Sequence, residues 1–209
     1  MLTNLTIANL AVVFVAILLS MGLHEAMHGF TAHWLGDTTA KDAGRLTLNP
    51  LKHVDIMTTV LLPVMLIAVG LPPIFAAKPV PFNPMRVKYE EYGAALIGLA
   101  GPFTNLALAI VAAAVTHLLI RAEVSTAIVN AMGIFVEVNI GFFVFNMLPI
   151  PPLDGSRLIY ALVPESVQEV MARFERMGIV AVILILVVLM PVIGPLISNL
   201  NQSILIHLL

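Results

Sequence analysis

The chain has 209 residues, of which 60% are hydrophobic and 11% are charged, and its mean hydropathy is +1.02. Soluble domains usually carry about 25% charged residues, so this composition indicates an integral membrane protein in contact with a lipid bilayer. The net charge of −2 indicates no nucleic-acid partner, and the lack of cysteine excludes disulfides and thiolate metal ligands.

Four apolar segments are long enough to cross a bilayer as helices, for which about 20 residues are needed. They lie at roughly 5–35, 93–120, 126–148 and 177–199. Pro191 and Pro195 fall in the last segment, and the sequence leaves open whether 177–209 spans once or turns back. The expected fold is an all-α polytopic membrane protein with about four to six transmembrane helices, forming one domain over residues 1–209.

A fifth apolar stretch, 56–76, is interrupted by Pro63, Gly70, Pro72 and Pro73. It lies between two polar stretches in which "GRLTL" and "KPVPF" favour short extended pieces over helix. The pattern predicts a re-entrant lobe over roughly 44–85 that contains short β-strands. A helical crossing at 56–76 followed by an extended return is the alternative.

The stretch "PESVQEVMARFERMG" at 164–178 has a proline where a helix would start and apolar residues at 167, 170, 171 and 174. This spacing predicts an amphipathic helix over roughly 165–177 that lies on the membrane surface.

A polar cluster, "SMGLHEAMHGF", ends the first apolar segment. His24 and His28 are four residues apart and lie about 40° from each other on one helical face, so they can hold one zinc ion. Glu25 lies beside that face and can act as a general base for hydrolysis. Without a ligand, these groups would each cost several kcal/mol inside a membrane, so the cluster predicts a metal site.

A catalytic zinc usually has three protein ligands, and "FNMLPIPPLDGSRL" at 145–158 offers a third. Three prolines break the helix there, and broken backbone at membrane depth is tolerated only inside protein or beside a watery cavity. Asp154 follows those prolines and supplies a carboxylate. A plain loop cap is the alternative role for Asp154.

Together these motifs resemble the site-2 protease family of intramembrane zinc metalloproteases, in a compact form without a PDZ-like or nucleotide-binding domain. The matching pieces are "HEAMH" (24–28), "GD" (36–37), "GRLTLNPLKHVD" (44–55), "AKPVPFNP" (77–84), "AGPFTNLALA" (100–109) and "NMLPIPPLDGSR" (146–157).

The resemblance implies that His24, His28 and Asp154 bind one zinc ion per chain and that Glu25 is the general base. It also implies that Asn146 helps to hold the substrate or its developing oxyanion. The implied activity is hydrolysis of peptide bonds within or near transmembrane segments of membrane protein substrates. The sequence does not predict an oligomeric state.

The basic residues predict the orientation of the chain. If 56–76 re-enters the membrane, nine basic residues share the side of the metal site and only Arg121 is opposite: Lys41, Arg45, Lys52, Lys78, Arg86, Lys88, Arg157, Arg173 and Arg176. Because basic residues concentrate on the cytoplasmic side, we expect the active-site end to face the cytoplasm of a prokaryotic cell membrane.

An intramembrane metal or proton transporter is the alternative function, since it would use the same His and Asp cluster. That alternative predicts further acidic or histidine ligands in other spans, and beyond Glu137 there are almost none. Among the other polar residues, Asn105 is interpreted as a helix-packing contact, Glu137 and Asn139 as a buried hydrogen-bonded pair, and His53 as an interfacial histidine.

Overall fold

The computed structural model describes residues 7–70, 73 and 75–209. The helices are α1 (Ile7–Trp34), α2 (Thr39–Asp42), α3 (Leu62–Ala68), α4 (Glu90–Arg121), α5 (Thr126–Asn146), α6 (Gly155–Tyr160), α7 (Glu165–Arg176) and α8 (Ile179–Leu208). Short 3₁₀ turns occur at Pro50–His53 and Pro84–Arg86, and a π-helical stretch, Ile56–Leu61, leads into α3. The expected all-helical fold is confirmed over these residues.

Among the residues that the structure describes, three helices are long and apolar enough to cross a membrane: α1, α4 and α5. The fourth predicted segment belongs to α8, a single helix of 30 residues that continues past Pro191 and Pro195. At 1.5 Å per residue α8 is about 45 Å long, and this single helix does not turn back.

The core of the bundle is built on small side chains of α4. Ala109, Ala112 and Ala113 are buried against the α5 residues Val136 and Ile140, and α8 packs on the same cluster. Small residues let helix backbones approach closely, and in a membrane this close packing replaces the hydrophobic drive for association. The short α6 packs on α4 as well, so α4 carries contacts to most of the fold.

Gly36 ends α1, with a φ of 103° that favours glycine. The Asp37 amide donates to the Ala32 carbonyl at 2.9 Å, as in a Schellman motif. The two Asn-Pro pairs form matching turns, because the side chains of Asn49 and Asn83 accept hydrogen bonds from the amides two residues on. Asn49 and Asn83 therefore cap the two 3₁₀ turns that begin at Pro50 and Pro84.

The predicted β-strands of the lobe are absent from the residues that the structure describes. The return segment, which we define as residues 76–80, bonds instead to turns and side chains: Lys78 N donates to His53 O at 2.8 Å, and Lys78 O accepts from Arg45 at 2.6 Å. Pro79 and Pro81 lack amide hydrogens, so "KPVPF" cannot donate along a regular ladder. The prediction of strands there was wrong for this reason.

The helix predicted at 165–177 is present as α7. Met171 is buried, while Val167, Val170 and Phe174 are each about half exposed. This apolar face suits a membrane surface, and the location of α7 there stays a prediction.

Candidate metal centre

Two imidazoles and a carboxylate from separate parts of the chain meet at one point. The ring centroids of His24 and His28 in α1 are 4.6 Å apart. Oδ2 of Asp154 lies 2.9 Å from Nε2 of His24 and 3.4 Å from Nε2 of His28. The three side chains are only 7%, 12% and 23% exposed in the same order.

The break in the helix after α5 places Asp154 next to His24 and His28. The chain from Met147 to Leu153 contains three prolines, and α6 begins only at Gly155. A side chain at Gly155 would strike the Met147 carbonyl, so this tight fold of the chain requires glycine. The Asp154 side chain makes no capping hydrogen bond to α6, which removes the plain loop-cap alternative.

Hydrogen bonds define the protonation of both imidazoles. Nδ1 of His24 lies 2.7 Å from Oδ1 of Asn105, and Nδ1 of His28 lies 2.7 Å from the Ile97 carbonyl. Both partner atoms are acceptors, so each Nδ1 must carry the hydrogen. In the neutral ring with hydrogen on Nδ1, the lone pair of Nε2 faces Asp154.

Oδ2 of Asp154 is buried, and apart from the two imidazoles it has no hydrogen-bond donor. Three lone-pair atoms thus face one another, an arrangement that a cation stabilises. Nitrogen and oxygen ligands about 2.0–2.2 Å from a tetrahedral zinc lie about 3.3–3.6 Å from each other. The 3.4 Å contact with His28 falls in this range, and the 2.9 Å contact with His24 is somewhat shorter. Two histidines and an aspartate therefore fit a catalytic zinc site with an open position.

Gly101 lets α4 pass close to the two imidazoles. A Cβ at this position would lie 2.5 Å from Nε2 of His28 and 2.6 Å from Nε2 of His24. Any larger residue would displace the rings. A second glycine one turn earlier, Gly98, gives the same room to Arg157 and to the Asp154 backbone.

Glu25 lies beside this cluster, and one ligand atom each from His24, Glu25 and His28 fall within 4.8 Å of one another. Its Oε2 accepts a hydrogen bond from the Val80 amide of the return segment at 2.9 Å. Because Val80 belongs to a distant stretch of chain, the lobe and not α1 alone holds this carboxylate.

A cavity of about 230 Å³ opens next to the cluster. Its walls come from α1, α5, the return segment and the chain around Asp154. Glu25 and Asn146 both line it, and Asn146 donates one amide hydrogen to the Phe142 carbonyl at 3.0 Å. The structure therefore brings every residue named from the sequence to one site: His24, Glu25, His28, Asn146 and Asp154.

Several residues at or near the site were missed or misread from the sequence. Asn105 contacts His24 directly, and its amide bonds Asn139, so Asn139 pairs with Asn105 where Glu137 was expected. His53 is fully buried in the lobe and is not interfacial. The piece "AGPFTNLALA" contained the only signal for Gly101 and Asn105, and spacing alone could not assign their contacts.

Asp37 fastens the end of α1 to the lobe. Its carboxylate accepts from the Thr39 amide and hydroxyl and, at 2.6 Å, from the Asn83 amide. Burial alone would raise the pKa of this carboxyl, but these hydrogen bonds outweigh burial and hold the pKa below its ordinary value.

The fold and the site define a membrane-embedded zinc hydrolase. Comparison with known sequences makes this more specific: the profile of peptidase family M50 matches residues 114–190, which include Asp154. A protein named "Putative zinc metalloprotease YwhC" from Bacillus subtilis is 35% identical over 179 residues, which cover 83% of this chain and 78% of that protein.

Two mycobacterial proteins named "Putative zinc metalloprotease Rip2" are also similar. The one from Mycolicibacterium smegmatis is 30% identical and covers 81% of this chain and 64% of that protein. The one from Mycobacterium tuberculosis is 32% identical and covers 78% of this chain and 61% of that protein. No solved structure matches the chain.

The chain belongs to peptidase family M50, and it is an intramembrane zinc metalloprotease. The resemblance to site-2 proteases is confirmed, and nothing found here favours the transporter alternative. Its bacterial relatives indicate a prokaryotic origin.

Proposed function

We propose that His24, His28 and Asp154 hold one zinc ion and that Glu25 is the general base for peptide-bond hydrolysis. The observation that supports this assignment is that both imidazole Nε2 atoms converge on Oδ2 of Asp154, which is buried and has no other hydrogen-bond donor. When bound, zinc acidifies a water molecule and polarises the scissile carbonyl.

Glu25 takes a proton from the attacking water and passes it to the leaving amine. The Val80 amide bonds one oxygen of the Glu25 carboxylate, which fixes the carboxylate at the cavity wall. Asn146 lines the same cavity and offers its remaining amide hydrogen to the substrate or to the developing oxyanion.

The substrate is a transmembrane helix of another membrane protein, which unwinds locally at the cavity. In a helix the backbone carbonyls are engaged in hydrogen bonds within the helix, so the peptide bonds of an intact helix are not accessible to the attacking water. The cavity is lined by Phe75, Phe142 and Phe145, which suit an apolar segment.

We further propose that the lobe at 44–85 re-enters the membrane and that α8 forms the fourth span. The helical stretch from Ile56 to Ala68 rises only about 20 Å, less than the 30 Å of a bilayer core. The chain then comes back, because Ala76 N donates to Thr58 O at 3.3 Å. This path leaves nine basic residues on the side of the metal site, which faces the cytoplasm.

The test compares Glu25→Gln with His24→Ala in the purified full-length protein. The probe is a single transmembrane helix flanked by two fluorescent proteins, incubated with enzyme in detergent. Glu25→Gln should keep bound zinc while cleavage stops, and His24→Ala should lose both. Cleavage by Glu25→Gln at an appreciable rate would show that the base is another group.

A further inference from the structure

We propose that Asn105 and Asn139 are positioning residues that hold His24 in the tautomer with hydrogen on Nδ1, which keeps Nε2 open to the metal. This inference rests on the assignment of His24 as a zinc ligand in the proposed function. It extends that function to two amide side chains that lie on other helices and do not line the cavity beside the metal cluster.

The orientation of the Asn105 amide is fixed by three partners. Its Oδ1 faces Nδ1 of His24 at 2.7 Å. Its Nδ2 donates to the Ser20 carbonyl at 3.2 Å and to Oδ1 of Asn139 at 2.9 Å. A flipped amide would set Oδ1 against two acceptors, so Asn105 can present only its oxygen to His24.

Asn139 is itself held by its own helix. Its Nδ2 donates to the Phe135 carbonyl at 2.8 Å, one turn earlier in α5, which turns Oδ1 towards Asn105. Both asparagines are fully buried, so bulk water does not compete for these bonds. A chain of directed hydrogen bonds therefore runs from α5 through α4 to His24 in α1.

The tautomer matters because Nε2 of His24 lies 2.9 Å from Oδ2 of Asp154. That distance suits a direct hydrogen bond. With hydrogen on Nε2, the ring would bond the carboxylate, and both ligands would be lost to the metal. With hydrogen on Nδ1, the same two atoms repel each other until a cation lies between them. The asparagine pair thus favours the arrangement that binds zinc.

His28 reaches the same state differently, through the backbone carbonyl of Ile97. No substitution can remove that acceptor, whereas the acceptor for His24 is a side chain. Mutation can therefore test the tautomer requirement at His24 alone.

The test measures zinc affinity of the full-length protein in detergent by competition with a chelator, for Asn105→Leu, Asn105→Asp and Asn139→Leu. Thr116→Val is the matched control, because Thr116 is a buried α4 residue whose hydroxyl donates to the Ala112 carbonyl of its own helix. Loss of such an outer partner typically weakens metal binding about 10–100-fold, and we expect this for Asn105→Leu. Asn105→Asp keeps an acceptor for Nδ1 but sets its second oxygen against the Ser20 carbonyl and Oδ1 of Asn139, so its zinc affinity should lie between those of Asn105→Leu and Thr116→Val.

A second readout reports the tautomer itself. In the metal-free protein, the ¹⁵N spectrum of the His24 ring should show hydrogen on Nδ1 for the natural chain and for Thr116→Val. For Asn105→Leu it should shift towards hydrogen on Nε2. A purely structural role would leave this spectrum unchanged in any variant that folds.

Zinc affinity of Asn105→Leu equal to that of Thr116→Val would overturn the proposal. If Asn105→Leu does not fold, Asn139→Leu decides: a weaker zinc affinity and a mixed ring spectrum support the proposal, and values equal to the control overturn it. His24→Ala distinguishes a failure of the zinc-ligand assignment from a failure of the positioning role of Asn105 and Asn139. If it binds zinc normally, the ligand assignment itself is wrong.

Discussion

Oδ2 of Asp154 lies 2.9 Å from Nε2 of His24 and has no donor other than the imidazoles, although the two residues come from opposite parts of the chain. Two groups with lone pairs stay this close only if a proton or a metal ion joins them. If a metal ion joins them, removing the charge of Asp154 should weaken metal binding.

Asp154→Asn should remove most of the bound zinc, because it replaces the anionic ligand with a neutral amide. The loss of affinity should exceed the roughly 10–100-fold typical of removing an outer partner. Metal analysis of the purified protein measures the effect. A variant that retains a full equivalent of zinc would place the third ligand elsewhere.

Gly101→Ala should displace the imidazoles, since the new Cβ would lie 2.5 Å from Nε2 of His28. Gly133→Ala is the control, because a Cβ at Gly133 meets no atom within 4 Å. Alanine favours a helix over glycine by about 1 kcal/mol, so the control should be neutral or more stable. Zinc content and thermal unfolding of both variants measure the difference, and equal zinc content would contradict the packing described here.

Val80→Pro should slow cleavage while zinc stays bound. The substitution removes the amide that bonds Glu25, and hydrogen bonds to charged groups contribute about 1.5–3 kcal/mol, or roughly 10–100-fold in rate. Val80→Ala keeps the amide and serves as the control. Equal rates for the two variants would mean that Glu25 does not depend on the return segment.

Acid should destabilise the junction that Asp37 forms with the lobe. The pKa of Asp37 is lower in the folded protein than in the unfolded chain, so the unfolded chain binds more protons in acid. The stabilisation is present above the ordinary pKa of about 3.9 and is lost as the pH falls through the folded value. Asp37→Asn should flatten the pH dependence of the unfolding temperature in this range. An unchanged profile would show that other carboxyls dominate.

The orientation of the chain can be measured by labelling single cysteines, because the natural sequence has none. In sealed, inside-out vesicles, Lys41→Cys and Arg176→Cys should react with an impermeant maleimide, and Arg121→Cys should react only after detergent is added. Labelling of all three positions from one side would contradict the proposed topology.

The sequence alone was enough to find the histidine pair, because residues four apart lie on the same face of a helix. Asp154 was harder to assign, since a lone carboxylate after prolines fits a loop cap equally well and gains its meaning only beside the histidines. The strands predicted in the lobe were wrong because "GRLTL" and "KPVPF" favour extended backbone, while Pro79 and Pro81 cannot donate hydrogen bonds to a ladder. Asn105 does make the expected contacts between helices, with Ser20 and Asn139, but its contact with His24 was not predicted. Asn139 was assigned the wrong partner, because contacts between helices leave no local periodicity.

The hydrogen bond between Val80 and Glu25 has a mechanical consequence. The return segment, which bonds the Glu25 carboxylate, also forms part of the cavity wall. A substrate large enough to displace this segment would therefore also displace the Glu25 carboxylate. With Glu25 as the proposed base, the rate of cleavage would therefore depend on how well the substrate fits the cavity.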